Sequence, residues 1–320
     1  PILIRMSVPP HTIVNEGTDI LWTQLANIVR ALGSSRQHVC VFSMLPSLAS
    51  TRCVFAQKTE DGSFLGGVVW SEHNDDEVAW IGMYACVSEV HGYEIGGRIW
   101  SRMMERIGSN GKIIGLRALP PMAAKYASRD LPLEISRMRC NLMSSAELHL
   151  VCDKLNADAS YHSILLKSAL SAEHLNQLHE FDKQMTGRDR SDVLSAYLAS
   201  PLFECVVLLD HADNISGWAG ISSTGFEDAH LFKLAPVYAS SLPEFAALTK
   251  ALIPFCERFH ADASIIIHIL TGTVGERVLE PLLSNQQNFD RVTLFSKKFD
   301  WRLRKHMCFT PHNTPAHFDG

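Results

Sequence analysis

Apolar residues recur at three- and four-residue spacing after Gly96: Ile99, Trp100, Met103, Met104 and Ile107 share one face, which predicts an amphipathic helix over about 96–107 with one side in a core. The segments before it are patterned for strands. CVFAQ (53–57) and FLGGVVW (64–70) are short β-rich runs separated by Asp61-Gly62, the dipeptide of a hairpin turn. A longer run, EVAWIGMYACV (77–87), leads directly into a glycine-containing turn ahead of the helix. Two helices, about 19–32 and 37–45, are predicted before the hairpin. A strand KIIGLRAL (112–119), a short proline-initiated helix PPMAAKYA and a last strand around LEISRMRCNLM follow the amphipathic helix.

Residues 144–159 are mixed and polar without a clear period and read as a linker. Beyond them the order repeats. A strand at 161–168 precedes the helix AEHLNQLHEFDKQM, the polar break TGRDR and the helix SDVLSAYLA. Strands ECVVLLD, ISGWAGISS and AHLFKLAPVYA come next, then the helix LPEFAALTKALIPFCERF, the strand ASIIIHIL, a helix TVGERVLEPLL, and strands near VTLFSKKF and KHMCFT. Two copies of one mixed α/β order argue for a duplicated domain, with copies at 1–145 and 160–320. One large α/β sheet is the alternative.

Composition narrows the function. A hydrophobic share of 46% and a charged share of 20% belong to a globular chain, and a formal charge of −5 supplies no field for a phosphate backbone. Nucleic acid is not an expected partner. The eight cysteines are scattered, most in apolar runs, and none form a C-x-x-C pair, so buried free thiols and a cytoplasmic location are expected. The longest apolar stretches fall short of the roughly 20 residues that span a bilayer, so no membrane is expected. Nothing bears on oligomeric state.

The stretch VHGYEIGGRIW (90–100) closes the long strand with a turn carrying Gly92, Gly96 and Gly97 and opens the amphipathic helix. Backbone N–H groups in such a turn, with the partial positive charge of a helix N-terminus, make an anion site, and glycines let the backbone approach a phosphate. A tight turn with close helix-to-strand packing explains the same glycines. The full order of hairpin, long strand, glycine turn, helix, strand IIGLRA, short helix and Tyr126 resembles the GCN5-related N-acetyltransferase (GNAT) fold. The resemblance implies two tandem GNAT-like domains, each a mixed, mainly antiparallel sheet flanked by helices. It implies that Tyr84, Ala85 and Cys86 hold the pantetheine arm of acetyl-CoA or another acyl-CoA. His91, Gly92, Tyr93, Glu94, Ile95, Gly96 and Gly97 would cradle its pyrophosphate, and Tyr126 would protonate the departing thiolate.

His91 stands where the family has Gln or Arg, and Glu94 where it has glycine. The family's Tyr-x-x-x-Gly-Phe reads Tyr126-Ala-Ser-Arg-Asp130-Leu131. A carboxylate beside a pyrophosphate costs on the order of 1 kcal/mol at a solvated site. Glu72 and His73, at the end of the hairpin's second strand, are the candidate general base, or else part of a solvated acidic turn with Asp75, Asp76 and Glu77. Trp70 and Trp80 read as packing.

The second half lacks the glycine turn, since AHLFKLAPVYASSLPEF has no Gly-x-Gly, and no coenzyme is expected there. LHEFDKQMTGRDRSDVL resembles the second domain of bacterial tandem acetyltransferases of the YitH/HolE type, through Asp182, Gly187, Asp189 and Arg190. Asp189 and Arg190 either bind substrate at the domain cleft, through the planar guanidinium fork, or cap the helix at Ser191 and pin the loop by an internal salt bridge. His174 and His179 lack metal-ligand spacing, no metal is expected, and His306, His312 and His317 in the proline-broken tail read as solvated. Two readings follow. One is an acyl-CoA-dependent N-acyltransferase acting on an amine of a small molecule or peptide, with the second domain helping to form the acceptor site. The other is a catalytically inactive GNAT-fold ligand-binding or interaction protein.

Overall fold

A computed structural model describes residues 10–31, 39–73, 76–155, 161–224, 230–283 and 289–318. In chain order the first half runs β1 (His11–Val14), α1 (Asp19–Ala31), α2 (Val39–Phe42), the hairpin β2 (Thr51–Lys58) and β3 (Phe64–Glu72), β4 (Val78–Cys86), α3 (Ile95–Ser109), β5 (Ile113–Ala118), α4 (Pro120–Ala127), β6 (Leu133–Ser144) and α5 (Ser145–Lys154). The second half runs β7 (Ser163–Leu166), α6 (Ala172–Thr186), α7 (Ser191–Ala199), β8 (Phe203–Leu209), β9 (Ile215–Ser223), β10 (Leu231–Tyr238), α8 (Leu242–Glu257), β11 (Ser264–Leu270), α9 (Val274–Val278), α10 (Glu280–Leu283), β12 (Phe289–Phe295) and β13 (Cys308–Thr310). The predicted helix at 37–45 survives as α2 and a 3-10 turn at Leu45–Ser47, its first two residues lying outside the described ones.

The expected linker is a helix for most of its length. Ser144 Oγ accepts the Glu147 N–H at 3.1 Å and the Glu147 carboxylate accepts the Ser144 N–H at 2.9 Å, so an S-x-x-E capping box starts α5. Its apolar positions do not keep to one face, since Leu150 is exposed while Leu148 and Cys152 are buried, but the box itself was readable. Residues 156–160 lie outside the described ones.

The strands form one sheet in the order β1-β2-β3-β4-β5-β12-β6-β11-β10-β9-β8-β7. The order is palindromic for the two halves. The β4–β5 and β10–β11 pairs are parallel, and the other pairs are antiparallel. Each half lends its last long strand to the other: β12 pairs with β5, and β6 pairs with β11. The β12–β6 seam, from Phe289↔Cys140 to Phe295↔Leu133, makes the duplicated halves a single sheet.

Helix α3 behaves as its period predicts. Ile95, Ile99, Trp100, Met103 and Ile107 are buried against Ala79, Ile81, Ile114 and Leu116 of β4 and β5. On the opposite face α1, α6 and α7 share one core with Met83 and Ala85 of β4 and Trp218 and Tyr238 of the second half. This shared apolar core joins the two halves in addition to the sheet seam.

Candidate active site

Strand β4 pairs with β5 only from Val78↔Ile113 to Ile81↔Leu116. On its other edge Trp70 pairs with Ile81 and Val69 with Met83, so Gly82 is the extra residue of a β-bulge. A side chain at Gly82 would run into the backbone of Pro315, and glycine is what lets these two segments touch. Beyond the bulge β4 leaves β5, and a cavity of about 620 Å³ opens between them. That volume is in the range of small-molecule and cofactor sites.

The glycine turn forms one end of this cavity. Gly92 has φ of 86°, a conformation that a side chain disfavours. Gly96 is required by contact, since a Cβ there would lie 2.5 Å from the Tyr84 hydroxyl and 3.4 Å from Cys86 Sγ. Gly97 faces open space, with nothing within 4 Å of an added Cβ. The first-turn N–H groups of α3 have no partner earlier in the helix and carry its positive dipole end. Tyr84, Ala85, Cys86, His91, Gly92, Tyr93, Gly96, Gly97 and Tyr126 all line the one cavity. Two of the predicted loop residues do not. Ile95 is fully buried in the α3 core because it starts that helix's apolar face. Glu94 is exposed and lines a separate outer groove with Arg98, Arg102, Glu105 and Arg129.

Tyr126 is half-buried and stacks on Trp100, with ring centroids 5.3 Å apart. Trp100 Nε1 donates to Asp130 Oδ2 at 2.6 Å, which gives Asp130 of the altered tyrosine motif a structural task. Burial raises the pKa of Tyr126, and likewise those of Tyr84 and of the Cys86 thiol, so all three hold their protons at neutral pH. The charged residues on the walls are Arg117, Lys125, Arg129 and Arg291, with His91 on the loop; among the described residues no carboxylate lines the cavity.

The candidate bases lie elsewhere. Glu72 is buried and accepts from Trp70 Nε1 at 2.7 Å and Asn110 Nδ2 at 2.9 Å, so both its oxygens are committed to holding the hairpin against the end of α3. The His73 ring packs beside Asp192, Nδ1 to Oδ1 3.6 Å, and the backbone of Ala316, and burial lowers its pKa. Neither lines the cavity; Pro315 of the tail does, and the backbone of its neighbour Ala316 faces His73. Asp189 and Arg190 do not line the cavity either. Asp189 is exposed and accepts the Ser191 N–H at 3.1 Å, which starts α7. Arg190 is buried and bonded to Asp182, His317 and the Tyr238 hydroxyl. The internal-pin reading matches this geometry, because a guanidinium so enclosed has no face for a substrate.

The second half repeats the strand divergence but fills it. Strand β10 pairs with β11 over Leu231↔Ser264 to Leu234↔Ile267, and then with β13, through Val237↔Thr310 and Tyr238↔Cys308. The chain's own tail therefore occupies the space that is open in the first half. From β13 the tail runs to the first-half cavity and lines it with Asn313, Thr314 and Pro315, while β12 adds Arg291. His312 and His317 are buried, contrary to a solvated tail, because this segment is wedged between the halves. Arg117 was legible as a charge inside an apolar strand run. Nothing in the tail's composition marked Asn313–Pro315 as cavity wall, since that placement depends on β13 crossing the sheet.

No family model matches the chain. A Caenorhabditis elegans relative, the uncharacterized protein F36G3.2, is 28% identical over 303 residues, covering 93% of this chain and 94% of its own. Among solved structures, a tandem GNAT protein from the clavulanic acid biosynthesis pathway superposes with a TM-score of 0.64 at 11% identity, over 91% of this chain and all of its own. A GCN5-related N-acetyltransferase from Sphaerobacter thermophilus gives 0.57 at 9% identity, over 92% of this chain and all of its own. At these identities the likeness is one of fold. The chain has the tandem fold of the GCN5-related N-acetyltransferases.

Proposed function

We propose that the first half binds one acyl-CoA in the β4–β5 cavity and transfers its acyl group directly to an amine. The cavity itself carries this reading: a gap between parallel strands, a glycine turn and helix N-terminus at one end, and basic residues with no carboxylate among the described ones around it. CoA brings phosphates, an extended pantetheine arm and a thioester. The α3 N-terminus, Lys125 and Arg129 suit the phosphates; the edge of residues 82–86, which β5 leaves unpaired, suits the arm. The amine nitrogen attacks the thioester carbonyl carbon. The C–N bond forms, the C–S bond breaks, the nitrogen loses a proton to water, and the sulfur takes one from Tyr126. A tyrosine that burial keeps protonated is suited to that step.

Binding without transfer is the second reading, and it rests on there being no carboxylate among the described lining residues to take the amine's proton. Thiol release from acetyl-CoA, followed with a panel of amines across pH 7–9, separates the two. Amine-dependent release that rises with pH as the ammonium deprotonates supports transfer. Tight coenzyme binding with no release for any amine supports the second reading.

A further inference from the structure

The far end of the cavity has a chemistry that coenzyme binding does not explain. Along β4, Ala79 and Ile81 face α3, whereas Val78 and Trp80 face the opposite side with Phe295 and Phe318. The cavity therefore passes through the sheet, from the glycine turn on the α3 face to Trp80, Arg117, Arg291 and Asn313 on the other. Two guanidiniums stand at this inner end. Arg117 is held by the second half: its Nε donates to Thr293 Oγ1 at 3.3 Å, its Nη1 to Asn313 Oδ1 at 3.0 Å, and its guanidinium lies 5.5 Å over the Trp80 ring. Arg291 reaches the cavity from β12; burial lowers its pKa, and the neighbouring Arg117 charge acts in the same direction. Two guanidiniums on the wall of one cavity end, with no carboxylate among the described lining residues, suit an anionic group.

We infer that the Arg117–Arg291 end of the cavity binds a carboxylate of the acceptor, so that the acceptor amine belongs to an amino acid or to a similar molecule carrying both groups. The inference rests on the acyl-transfer reading for the placing of the amine, but the carboxylate site stands without it. A planar guanidinium presents a fork of donors to a carboxylate, and a second one fixes its orientation. An acceptor so held projects its amine back toward the β4–β5 gap. The exchange of strands between the halves then has a consequence for specificity: β5 supplies one arginine, β12 the other, and neither half owns the site.

The test uses products, so that it does not depend on coenzyme binding. Calorimetry of the full chain with N-acetylated amino acids and their matching carboxamides compares ligands that differ in one charged group. The acid of at least one pair is expected to bind about tenfold or more tighter than its amide. Arg291→Gln is expected to remove that preference, and Arg291→Lys to restore part of it. Equal affinity for acid and amide throughout, absence of binding by every acid at millimolar concentration, or a preference unchanged in a folded Arg291→Gln protein would each overturn the proposal. In a parallel titration acetyl-CoA tests the acyl-transfer reading alone: acids that bind while acetyl-CoA does not would sink that reading and leave the carboxylate site standing.

Discussion

Arg190 grips Asp182 with two parallel hydrogen bonds, Nε to Oδ2 at 2.5 Å and Nη2 to Oδ1 at 2.6 Å, with both side chains almost wholly buried. The pair spans the break between α6 and α7, where Gly187, at φ of 69°, ends the first helix. It also bears on the tail, because Arg190 Nη1 meets His317 Nε2. Asp182→Ala leaves a buried guanidinium without its carboxylate and is expected to destabilise the protein by about 3–5 kcal/mol, measured by urea unfolding. A loss below about 1 kcal/mol would mean that the pair is not structural.

Acid should loosen the same region. Burial holds the pKa of His317 well below the ordinary 6.5, and that of His73 below it as well, with the Arg190 charge acting in the same direction on both. In the unfolded chain both take up protons below about pH 6.5; in the native state they do so only at lower pH. Stability is therefore fully present above about pH 6.5 and falls as pH drops below it, by up to about 1.4 kcal/mol per unit for each group. Thermal melts from pH 7.5 to 5.5 should show a falling Tm, with a shallower fall in His317→Gln. A Tm that rises toward pH 5.5 would contradict the burial of these rings.

Gly96 should be the least replaceable glycine of the turn. Gly96→Val places methyl groups against the Tyr84 hydroxyl and Cys86, inside the cavity. Acetyl-CoA binding is expected to weaken at least about tenfold, equal to about 1.4 kcal/mol. Circular dichroism should still report a folded protein.

Glu94 should matter less than its place in the glycine turn suggests. Its carboxylate lies in the outer groove among Arg98, Arg102 and Arg129, where solvent screens it. Glu94→Gln is expected to tighten acetyl-CoA binding about two- to fivefold at low salt, by removing about 1 kcal/mol or less of repulsion, and to have little effect at 0.5 M salt. A weaker complex would show that Glu94 contacts the coenzyme favourably.

Tyr126→Phe separates chemistry from binding. Loss of a general acid is expected to lower kcat about 100-fold or more with little change in the acetyl-CoA dissociation constant. An unchanged kcat would return Tyr126 to a packing role on Trp100.

Much of the fold was legible because its signals are local. The Asp61-Gly62 hairpin, the buried stripe of α3 and the repeated strand-helix order each sit within a short window of sequence, and they suffice for the GNAT resemblance. What was hidden depends on contacts between distant segments. The crossing of β12 and β6 couples residues such as Val292 and Arg137, and the insertion of β13 beside β10 couples Thr310 and Val237. No local pattern encodes either. The site divides in the same way. Gly92, Gly96, Tyr84 and Tyr126 follow from one βα unit and its successor, whereas Arg291 and Asn313 enter the cavity only through the exchanged strand and the tail. Glu72 and His73 looked available because the hairpin end is polar in sequence; in the fold Glu72 is tied to Trp70 and Asn110, and His73 sits against α7 and the tail.

The central claim is a single acyl-CoA site per chain, open in the first half and filled by β13 in the second. Calorimetric titration of the full chain with acetyl-CoA tests it directly. Saturable binding of one molecule per chain, weakened in Gly96→Val, is the expected result. Two molecules per chain, or no heat at millimolar acetyl-CoA with the protein folded, would contradict it.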